Sequence, residues 1–238
     1  MPADLALPHM AHIVSIIGNK GGTGKTTLTH LLAHGLGLLG HRAVAALTDR
    51  ERLPLAKTNR VYLPVDARTP EARTRVVAKL KGVDGWFGVV DGGGNRPETD
   101  VELAALADLV LLPFRDSHED IRTVVRDLAR FPQAWALPSQ WPTNVWALEA
   151  AQRTLGAELA AAAHRILPPV SAVSATKLLL EIELPASLPT PVNNAARAFA
   201  RQVLDLLGAA APGGETNRTA VGEDGEARAR QARPAAAT

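Results

Sequence analysis

The chain is 238 residues long, with 46% apolar residues, 21% charged residues and no cysteine. This composition supports a buried core, unlike that of a disordered chain, and the lack of cysteine excludes disulfides, thiolate metal sites, iron–sulfur clusters and cysteine nucleophiles. The formal charge of +2, from 26 basic and 24 acidic residues, does not by itself favour a nucleic-acid partner.

Neither a membrane span nor a secretory leader is expected from the sequence. The longest apolar stretches are far shorter than the roughly 20 residues that cross a bilayer. Residues 1–10 carry no lysine or arginine, which a secretory leader requires. The pattern therefore predicts a cytoplasmic protein.

Short apolar runs alternate along the chain with longer segments of helical spacing. Strands are predicted at residues 12–18, 42–48, 86–91, 108–114 and 134–137, and helices at 25–39, 69–81, 117–130 and 144–164. This alternation predicts an α/β fold with a mostly parallel, doubly wound sheet and helices on both faces. Such sheets bind ligands beyond the carboxyl ends of their strands, so the residues after each strand are the candidates for a site.

The last thirty residues differ in composition from the rest. Residues 209–238 hold four arginines and four acidic residues, and Val221 is their only apolar residue beyond alanine. Such a segment cannot bury enough surface to offset its ordering entropy. We therefore predict one domain at residues 1–208 and a disordered tail at 209–238.

The loop after the first predicted strand carries the most specific motif. Residues 19–27 read Asn-Lys-Gly-Gly-Thr-Gly-Lys-Thr-Thr, and the chain then becomes apolar with helical spacing. Three glycines let backbone N–H groups converge on phosphate oxygens, and the positive end of the helix dipole favours the same anion. In such a loop Lys25 reaches the β- and γ-phosphates and the Thr26 hydroxyl ligates Mg²⁺. A turn without function would require a chance match on the order of one in a million.

The string Lys-Gly-Gly-x-Gly-Lys-Thr-Thr resembles the deviant Walker A box of the ParA/MinD family of ATPases, with Asn19 where the ordinary phosphate loop has its first glycine. The resemblance implies a P-loop NTPase fold that binds ATP and Mg²⁺, hydrolyses ATP, and forms a homodimer on ATP binding. It also implies that Lys20 crosses to the partner's nucleotide, where a second cation stabilises charge that develops as the γ-phosphoryl group leaves. The expected ATP-binding residues of the loop are Lys20, Gly21, Gly22, Thr23, Gly24, Lys25, Thr26 and Thr27.

Asp91 is a candidate magnesium ligand at the end of the third predicted strand. Carboxylates at strand ends suit Mg²⁺, which prefers oxygen ligands. Three glycines follow Asp91, and the D-x-x-G spacing would let the Gly94 amide contact the γ-phosphate, so Gly94 joins the expected ATP-binding residues.

Asp49 ends the second predicted strand, where the resemblance implies an Asp-x-Asp pair followed by proline. Leu47 and Arg50 occupy the positions of the first acid and the proline, so only one acid remains. The resemblance implies that Asp49 orients the attacking water or holds a magnesium-bound water, and a turn-capping aspartate is the alternative. The expected catalytic residues are Lys20, Lys25 and Asp49, and the expected metal ligands are Thr26, Asp49 and Asp91.

Two closely spaced histidines and three closely spaced tryptophans have structural explanations as well as functional ones. His30 and His34 lie one helical turn apart without a third metal ligand, and we interpret them as helix-surface residues. Trp135, Trp141 and Trp146 surround the fifth predicted strand and could line an adenine pocket or a partner surface, but core packing is the expectation.

Basic residues are concentrated in two places. Residues 42–81 contain ten basic and four acidic residues, and Arg122, Arg126 and Arg130 recur at four-residue spacing, which aligns them on one helix face. Such stripes contact DNA phosphates without reading sequence. The alternative is a solvated face paired with Glu119, Asp120 and Asp127.

Within the family, the chain is most similar to short ParA-type partition ATPases. The loop begins about 20 residues from the start, so no helix-turn-helix domain is expected before it. The tail has no bulky amphipathic face of the kind that attaches MinD-type relatives to membranes, and nitrogenase-reductase relatives need cysteines. The resemblance implies slow hydrolysis stimulated by a small DNA-binding adaptor, ParB-like or ribbon-helix-helix, and ATP-dependent, non-specific binding to duplex DNA. It implies plasmid or chromosome partition by a nucleoid-associated protein with no membrane partner.

Three other functions remain open from the sequence. One is a positioning ATPase for another cargo, such as a conjugation, chemotaxis or secretion complex. Another is a small-molecule P-loop enzyme resembling dethiobiotin synthetase, and the last is a nucleotide-binding module that has lost turnover.

Overall fold

The computed structural model describes residues 11–49, 53–94 and 97–208. The strands are β1 His12–Ile16, β2 Arg42–Leu47, β3 Leu63–Asp66, β4 Trp86–Asp91, β5 Leu109–Phe114 and β6 Ala134–Pro138. The α-helices are α1 Lys25–Leu38, α2 Pro70–Lys81, α3 Pro97–Leu106, α4 His118–Arg130, α5 Val145–Glu158 and α6 Thr190–Leu207, with 3₁₀ helices at Ala160–Arg165 and Ser174–Leu180. The predicted tail at 209–238 lies outside the described residues, so the division into domain and tail stays a prediction.

The six strands form one sheet in the order β3-β2-β4-β1-β5-β6, and every neighbouring pair is parallel. β1 lies between β4 and β5, and its last residue, Ile16, pairs with Asp91 on one side and Leu111 on the other. The carboxyl ends of these three strands therefore meet at one edge of the sheet. The predicted parallel, doubly wound α/β sheet is confirmed.

Helices cover both faces of the sheet. The side chains of β1 point alternately to the two faces and so enter two separate apolar cores. Val14 and Ile16 pack in a cluster with residues of α1 and α6. Ile13 and Ile17 belong to a second cluster, which includes residues of α2, α3, α4 and α5. No helix of the described residues is long and apolar enough to span a membrane.

Two elements in the first half of the chain, β3 and α3, were not predicted from the sequence. β3 is a four-residue edge strand that contains Pro64, and its short length and its proline, a residue depleted in strands, weaken the strand pattern. α3 is ten residues long and was hidden between the glycines after Asp91 and the next strand.

The predicted helix at 144–164 was too long at its carboxyl end. α5 ends at Glu158, and the chain tightens into a 3₁₀ turn in which the Ala162 N–H bonds to the Leu159 carbonyl three residues back.

The interpretation of His30 and His34 as helix-surface residues was wrong. Both are buried, because α6 and the segment around Tyr62 cover the face of α1 that carries them. His30 Nδ1 lies 2.8 Å from the Tyr62 hydroxyl, and His34 Nε2 lies 2.9 Å from Asn193 Oδ1. The two histidines are therefore parts of buried hydrogen-bonded packing.

The tryptophans divide between core and surface. Trp141 is buried against Phe114, and Trp135 is half-buried beside the α1 and α6 cluster, as expected for core packing. Trp146 is 79% exposed at the first turn of α5, so the core expectation was wrong for it.

α1 and α6 approach so closely that only glycine fits at Gly35. A Cβ atom built there would lie 2.0 Å from the Ala196 carbonyl oxygen. We expect Gly35→Ala to force the helices apart and to lower the free energy of unfolding by about 3 kcal/mol, measured by urea unfolding. Gly156→Ala is the matched control, since Gly156 lies in α5 with open space around its Cβ position. The control should gain about 0.5–1 kcal/mol, and equal effects of the two changes would contradict the close approach.

Candidate functional site

The glycine loop joins the carboxyl end of β1 to the first turn of α1. Gly24 is the N-cap residue of α1 with φ 85°, and Gly22 has φ 79°. Residues other than glycine rarely adopt these backbone conformations. Because the cap is a glycine, no side chain satisfies the first N–H groups of α1, which point toward the loop. The loop thus forms a concave surface of backbone donors at the positive end of a helix dipole.

A cavity of about 330 Å³ opens over this loop. It is lined by Gly21, Gly22, Gly24, Lys25, Thr26, Thr27, Asp49, Gly93, Gly94 and Gln140. Eight of these ten residues are among those predicted for the site, so the fold brings the loop motif, the end of β2 and the D-x-x-G loop to one place.

Lys25 lies with its amine folded back under the loop. Its Nζ donates a hydrogen bond of 2.7 Å to the Lys20 carbonyl. Burial lowers the pKa of Lys25, while the nearby carboxyls of Asp100, Asp91 and Asp127 act in the opposite direction. The acids behind the loop therefore help to keep a buried cation at the cavity floor.

Thr26 and Asp91 meet at the predicted metal site. The Thr26 hydroxyl donates to Asp91 Oδ2 at 2.8 Å, and the Gly93 N–H donates to Asp91 Oδ1 at 3.1 Å. Burial raises the pKa of Asp91, and the hydrogen bonds from Thr26 and Gly93 oppose the shift. Thr48 fixes the strand end by donating to the Asp91 carbonyl at 2.7 Å.

Asp49 lies in the wall of the same cavity, beside Thr26. Its charge contributes to the raised pKa of Asp91, which places the two carboxyls within electrostatic reach. No group of three or more histidine or acidic side chains suited to a metal occurs in the part of the chain that the structure describes. One hydroxyl and two carboxylates fit Mg²⁺, which keeps several waters and takes phosphate oxygens as further ligands.

Lys20 lies at the rim of the site rather than in the cavity wall. Its Nζ is 2.6 Å from Glu119 Oε1, in the first turn of α4. Glu119 is largely exposed, and such surface pairs contribute only about 0–1 kcal/mol. Lys20 can therefore leave this contact at little cost.

Four side chains that were not predicted from the sequence hold the loop and its entrance through hydrogen bonds to the backbone. Gly18 N–H donates to Asp100, Asn19 donates to Asp127, Thr23 carbonyl accepts from Ser139, and Gly22 carbonyl accepts from Gln140. Ser139 and Gln140 directly follow β6, so the rule that sites lie after strand ends could have found them. Asp100 and Asp127 lie within helices and gave no such signal.

A second cavity of about 330 Å³ adjoins the first at Gly24, Thr27 and Gln140. Its other lining residues are apolar or carry hydroxyl groups, apart from the cationic Lys177, and they are Leu28, Leu31, Ser139, Val170, Ser171, Ala172, Val173, Ser174, Thr176 and Lys177. No motif in the sequence indicates this cavity.

The three arginines of α4 are all exposed. Arg126 donates to Thr123 Oγ1, and Arg130 donates to the Pro97 carbonyl and lies over the Phe131 ring. The acids proposed as their partners are engaged elsewhere, since Asp120 pairs with Arg115 and Asp127 binds Asn19. An exposed basic stripe is present, and its role in DNA binding stays a prediction.

No family model matches this chain, and no curated protein is significantly similar to it in sequence. Solved structures are similar in fold. The cell division ATPase MinD of Pyrococcus furiosus has a TM-score of 0.60 at 16% identity, covering 83% of this chain and 100% of its own. A candidate plasmid partition protein of Borrelia burgdorferi bound to AMPPNP has a TM-score of 0.58 at 13% identity, covering 82% and 99%.

Cobyrinic acid a,c-diamide synthase of Mycobacterium smegmatis, with ADP and magnesium, is also similar, with a TM-score of 0.56 at 16% identity over 84% of this chain and 96% of its own. Identities this low establish the fold alone. The predicted P-loop NTPase fold is confirmed by these likenesses.

Asp100 gives the site a pH-dependent stability. Burial raises its pKa in the folded protein to about 6, from an ordinary value of 3.8. The folded state therefore holds this proton more tightly than the unfolded chain does. The protonated carboxyl favours folding at low pH, and this contribution is lost as the pH rises from about 4 to about 6.

We expect Asp100→Asn, which cannot ionise, to exceed the native protein in free energy of unfolding by about 1–3 kcal/mol at pH 8. The excess should shrink toward pH 4.5, and urea unfolding of both proteins at pH 4.5, 6 and 8 measures it. A difference that does not change with pH would contradict the raised pKa.

Proposed function

We propose that the chain is an ATPase of the ParA/MinD type, a dimeric nucleotide-dependent switch that positions or partitions DNA. The observation that supports it most directly is the 2.8 Å contact between Thr26 and Asp91 below the glycine loop. That contact joins the residue that ligates Mg²⁺ in phosphate loops to a strand-end carboxylate, in the context that nucleotide hydrolysis requires.

ATP would bind across the two adjoining cavities. The phosphates would take the backbone donors of Gly21 to Gly24 and the Lys25 ammonium. The adenine and ribose would take the second cavity, where Leu28 and Val173 offer apolar contact and Ser171 and Thr176 offer hydroxyl groups. The two cavities share Gly24, Thr27 and Gln140, so one extended ligand could occupy both.

Thr26, Asp91 and Asp49 would hold Mg²⁺, directly or through water. When bound, the ion supplies positive charge that neutralises the β- and γ-phosphate oxygens. Thr26 already orients its hydroxyl through Asp91, so the ligand set is preorganised. Asp49, in the wall of the same cavity, would hold the attacking water by a hydrogen bond.

Lys20 would act in the dimer. Its exposed pairing with Glu119 keeps the ammonium at the rim, where a second subunit could receive it. A cation added at the partner's γ-phosphate stabilises the charge of the transition state, as an arginine finger does. Hydrolysis would then depend on dimerisation, and it would be slow in the isolated chain.

DNA is the proposed cargo. A small DNA-binding adaptor, ParB-like or ribbon-helix-helix, is the proposed partner that stimulates hydrolysis. The exposed arginines of α4 supply charge that can meet duplex phosphates of any sequence. Nucleoid association in the cytoplasm would follow from that contact. The candidate plasmid partition protein of Borrelia burgdorferi, similar in fold, is the comparison that favours DNA as the cargo.

A small-molecule P-loop enzyme is the second candidate. A largely apolar cavity of about 190 Å³ lies beside Thr26 and Asp91, with Leu47, Leu55 and Leu180 in its wall. A metabolite there would be close to the γ-phosphate position, and the cobyrinic acid a,c-diamide synthase is similar in fold. Such an enzyme needs no lysine from a second subunit.

Lys20→Ala distinguishes these two functions. We expect it to lower the ATPase rate at least about tenfold, since it removes the cation in trans, and to leave binding of a fluorescent ATP analogue with Mg²⁺ within about threefold of native. Phosphate release and fluorescence titration measure the two quantities, and Lys79→Ala, an exposed lysine of α2, is the control. Undiminished turnover of Lys20→Ala as a monomer would favour the small-molecule enzyme.

The DNA hypothesis predicts salt-sensitive retention of arbitrary duplex DNA with ATP and little retention with ADP or without nucleotide. Arg122→Ala with Arg126→Ala should weaken that binding and reduce the slope of log affinity against log salt by about 1–2. Filter binding between 50 and 200 mM salt measures both effects. Equal retention in all nucleotide states would count against a DNA switch, and an unchanged slope in the double variant would place the contact elsewhere.

A further inference from the structure

The entrance of the glycine loop is tied to two helices by buried carboxyls. Gly18 N–H donates to Asp100 Oδ2 of α3 at 3.2 Å. The backbone N–H of Asn19 donates to Asp127 Oδ2 of α4 at 3.2 Å, and its side-chain Nδ2 donates to Asp127 Oδ1 at 2.9 Å. Asp100 is 1% exposed and Asp127 is 5% exposed.

These carboxyls are costly for the fold. Asp100 Oδ1 is buried and makes no hydrogen bond with the described residues. Asp100 and Asp127 also act on each other as like charges, which adds to the effect of burial in raising the pKa of Asp100. A buried carboxyl with an unsatisfied oxygen lowers the stability of the fold. A role of its remaining contacts in the site would explain why such a residue is there.

The remaining contacts of both acids face the nucleotide site. Their charges act on the Lys25 ammonium, and their hydrogen bonds hold the two residues that precede Lys20. α3 begins at Pro97, the third residue after Gly94 of the D-x-x-G loop, and Asp100 is in its first turn. Asp100 therefore connects the helix that follows Gly94, the proposed contact of the γ-phosphate, to the start of the phosphate loop.

We propose that Asp100 and Asp127 are positioning residues that hold the phosphate loop in its nucleotide-binding shape, with Asp100 tying it to the helix that follows the D-x-x-G loop. The inference rests on the proposed ATP binding. The acids act through the backbone of Gly18 and Asn19 and through the Asn19 side chain, rather than by binding the nucleotide themselves. Their hydrogen bonds, rather than their charge alone, carry the effect.

Three variants separate positioning from stability. Asp100→Ala removes the acceptor for the Gly18 N–H, and Asp100→Asn keeps an oxygen acceptor without the charge. Asp108→Ala is the matched control, because Asp108 Oδ2 accepts from the Ile13 N–H at 2.7 Å near the opposite end of β1. The measurements are the Kd for a fluorescent ATP analogue with Mg²⁺ and the Tm of each protein without nucleotide.

We expect Asp100→Ala to weaken nucleotide binding about tenfold, the effect of removing one partner of a buried hydrogen bond. Asp100→Asn should restore the Kd to within about threefold of native, and Asp108→Ala should change the Tm without changing the Kd. A native Kd in Asp100→Ala overturns the proposal. An equal loss in Asp100→Asn overturns the hydrogen-bond mechanism.

Amide hydrogen exchange in the nucleotide-free protein tests the same tether without any ligand. Asp100→Ala should speed exchange at Gly18 and along residues 19–24 and leave the β5 amides protected. Unchanged exchange in the loop overturns the proposal. If the native protein binds no ATP analogue, the proposed function fails, whereas the exchange result still decides whether Asp100 holds the loop.

Asn19→Ala keeps the experiment decisive if Asp100→Ala does not fold. It removes only the side-chain bond to Asp127 Oδ1 and leaves the backbone bond of Asn19 in place. We expect a smaller rise in Kd, about threefold, with faster exchange of residues 19–24. Native Kd and native exchange in Asn19→Ala would overturn the role of Asp127.

Discussion

The parallel register between β1 and β4 is the constraint on which the site depends. Ile16 pairs with Asp91, so the last residue of β4 lies beside the point where the chain leaves β1 for the glycine loop. α1 begins at the end of that loop, and its second residue, Thr26, reaches Asp91 Oδ2. A slip of one residue would turn Asp91 toward the other face of the sheet and remove the contact. The two apolar clusters fix this register, because each takes alternate side chains of β1.

Charge balance is the second organising feature. Lys25 is a buried cation surrounded by three carboxyls, those of Asp100, Asp91 and Asp127. Buried charges are tolerated when opposite charges and hydrogen bonds lie close. Here the acids exceed the lysine, and burial raises the pKa of both Asp91 and Asp100. A divalent cation at Asp91 would relieve part of this excess, which makes the site electrostatically suited to a magnesium nucleotide.

The same fold carries a cell division ATPase, a candidate plasmid partition protein and a cobyrinic acid a,c-diamide synthase, so the fold does not select a function. Function on a shared fold depends on the residues around the site. In this chain that surface holds Lys20 on an exposed carboxylate, an exposed arginine stripe on α4 and a small apolar cavity beside Asp49. The first two features favour a switch that meets a second subunit and DNA, and the third favours a bound metabolite.

The sequence by itself determined the parallel α/β sheet and the glycine loop with Lys25, Thr26 and Asp91. These signals are local, since the alternation of apolar runs and the Lys-Gly-Gly-Thr-Gly-Lys-Thr-Thr string each lie within a short stretch of chain. Only the tertiary structure decided the environment of that loop. Asp100, Asp127, Ser139 and Gln140 lie 82 to 118 positions from the loop residues they hold. No periodicity or spacing encodes such contacts, because strand order and helix packing bring them together. Packing of α6 on α1 likewise buried His30 and His34, whose spacing alone suited a helix surface equally well.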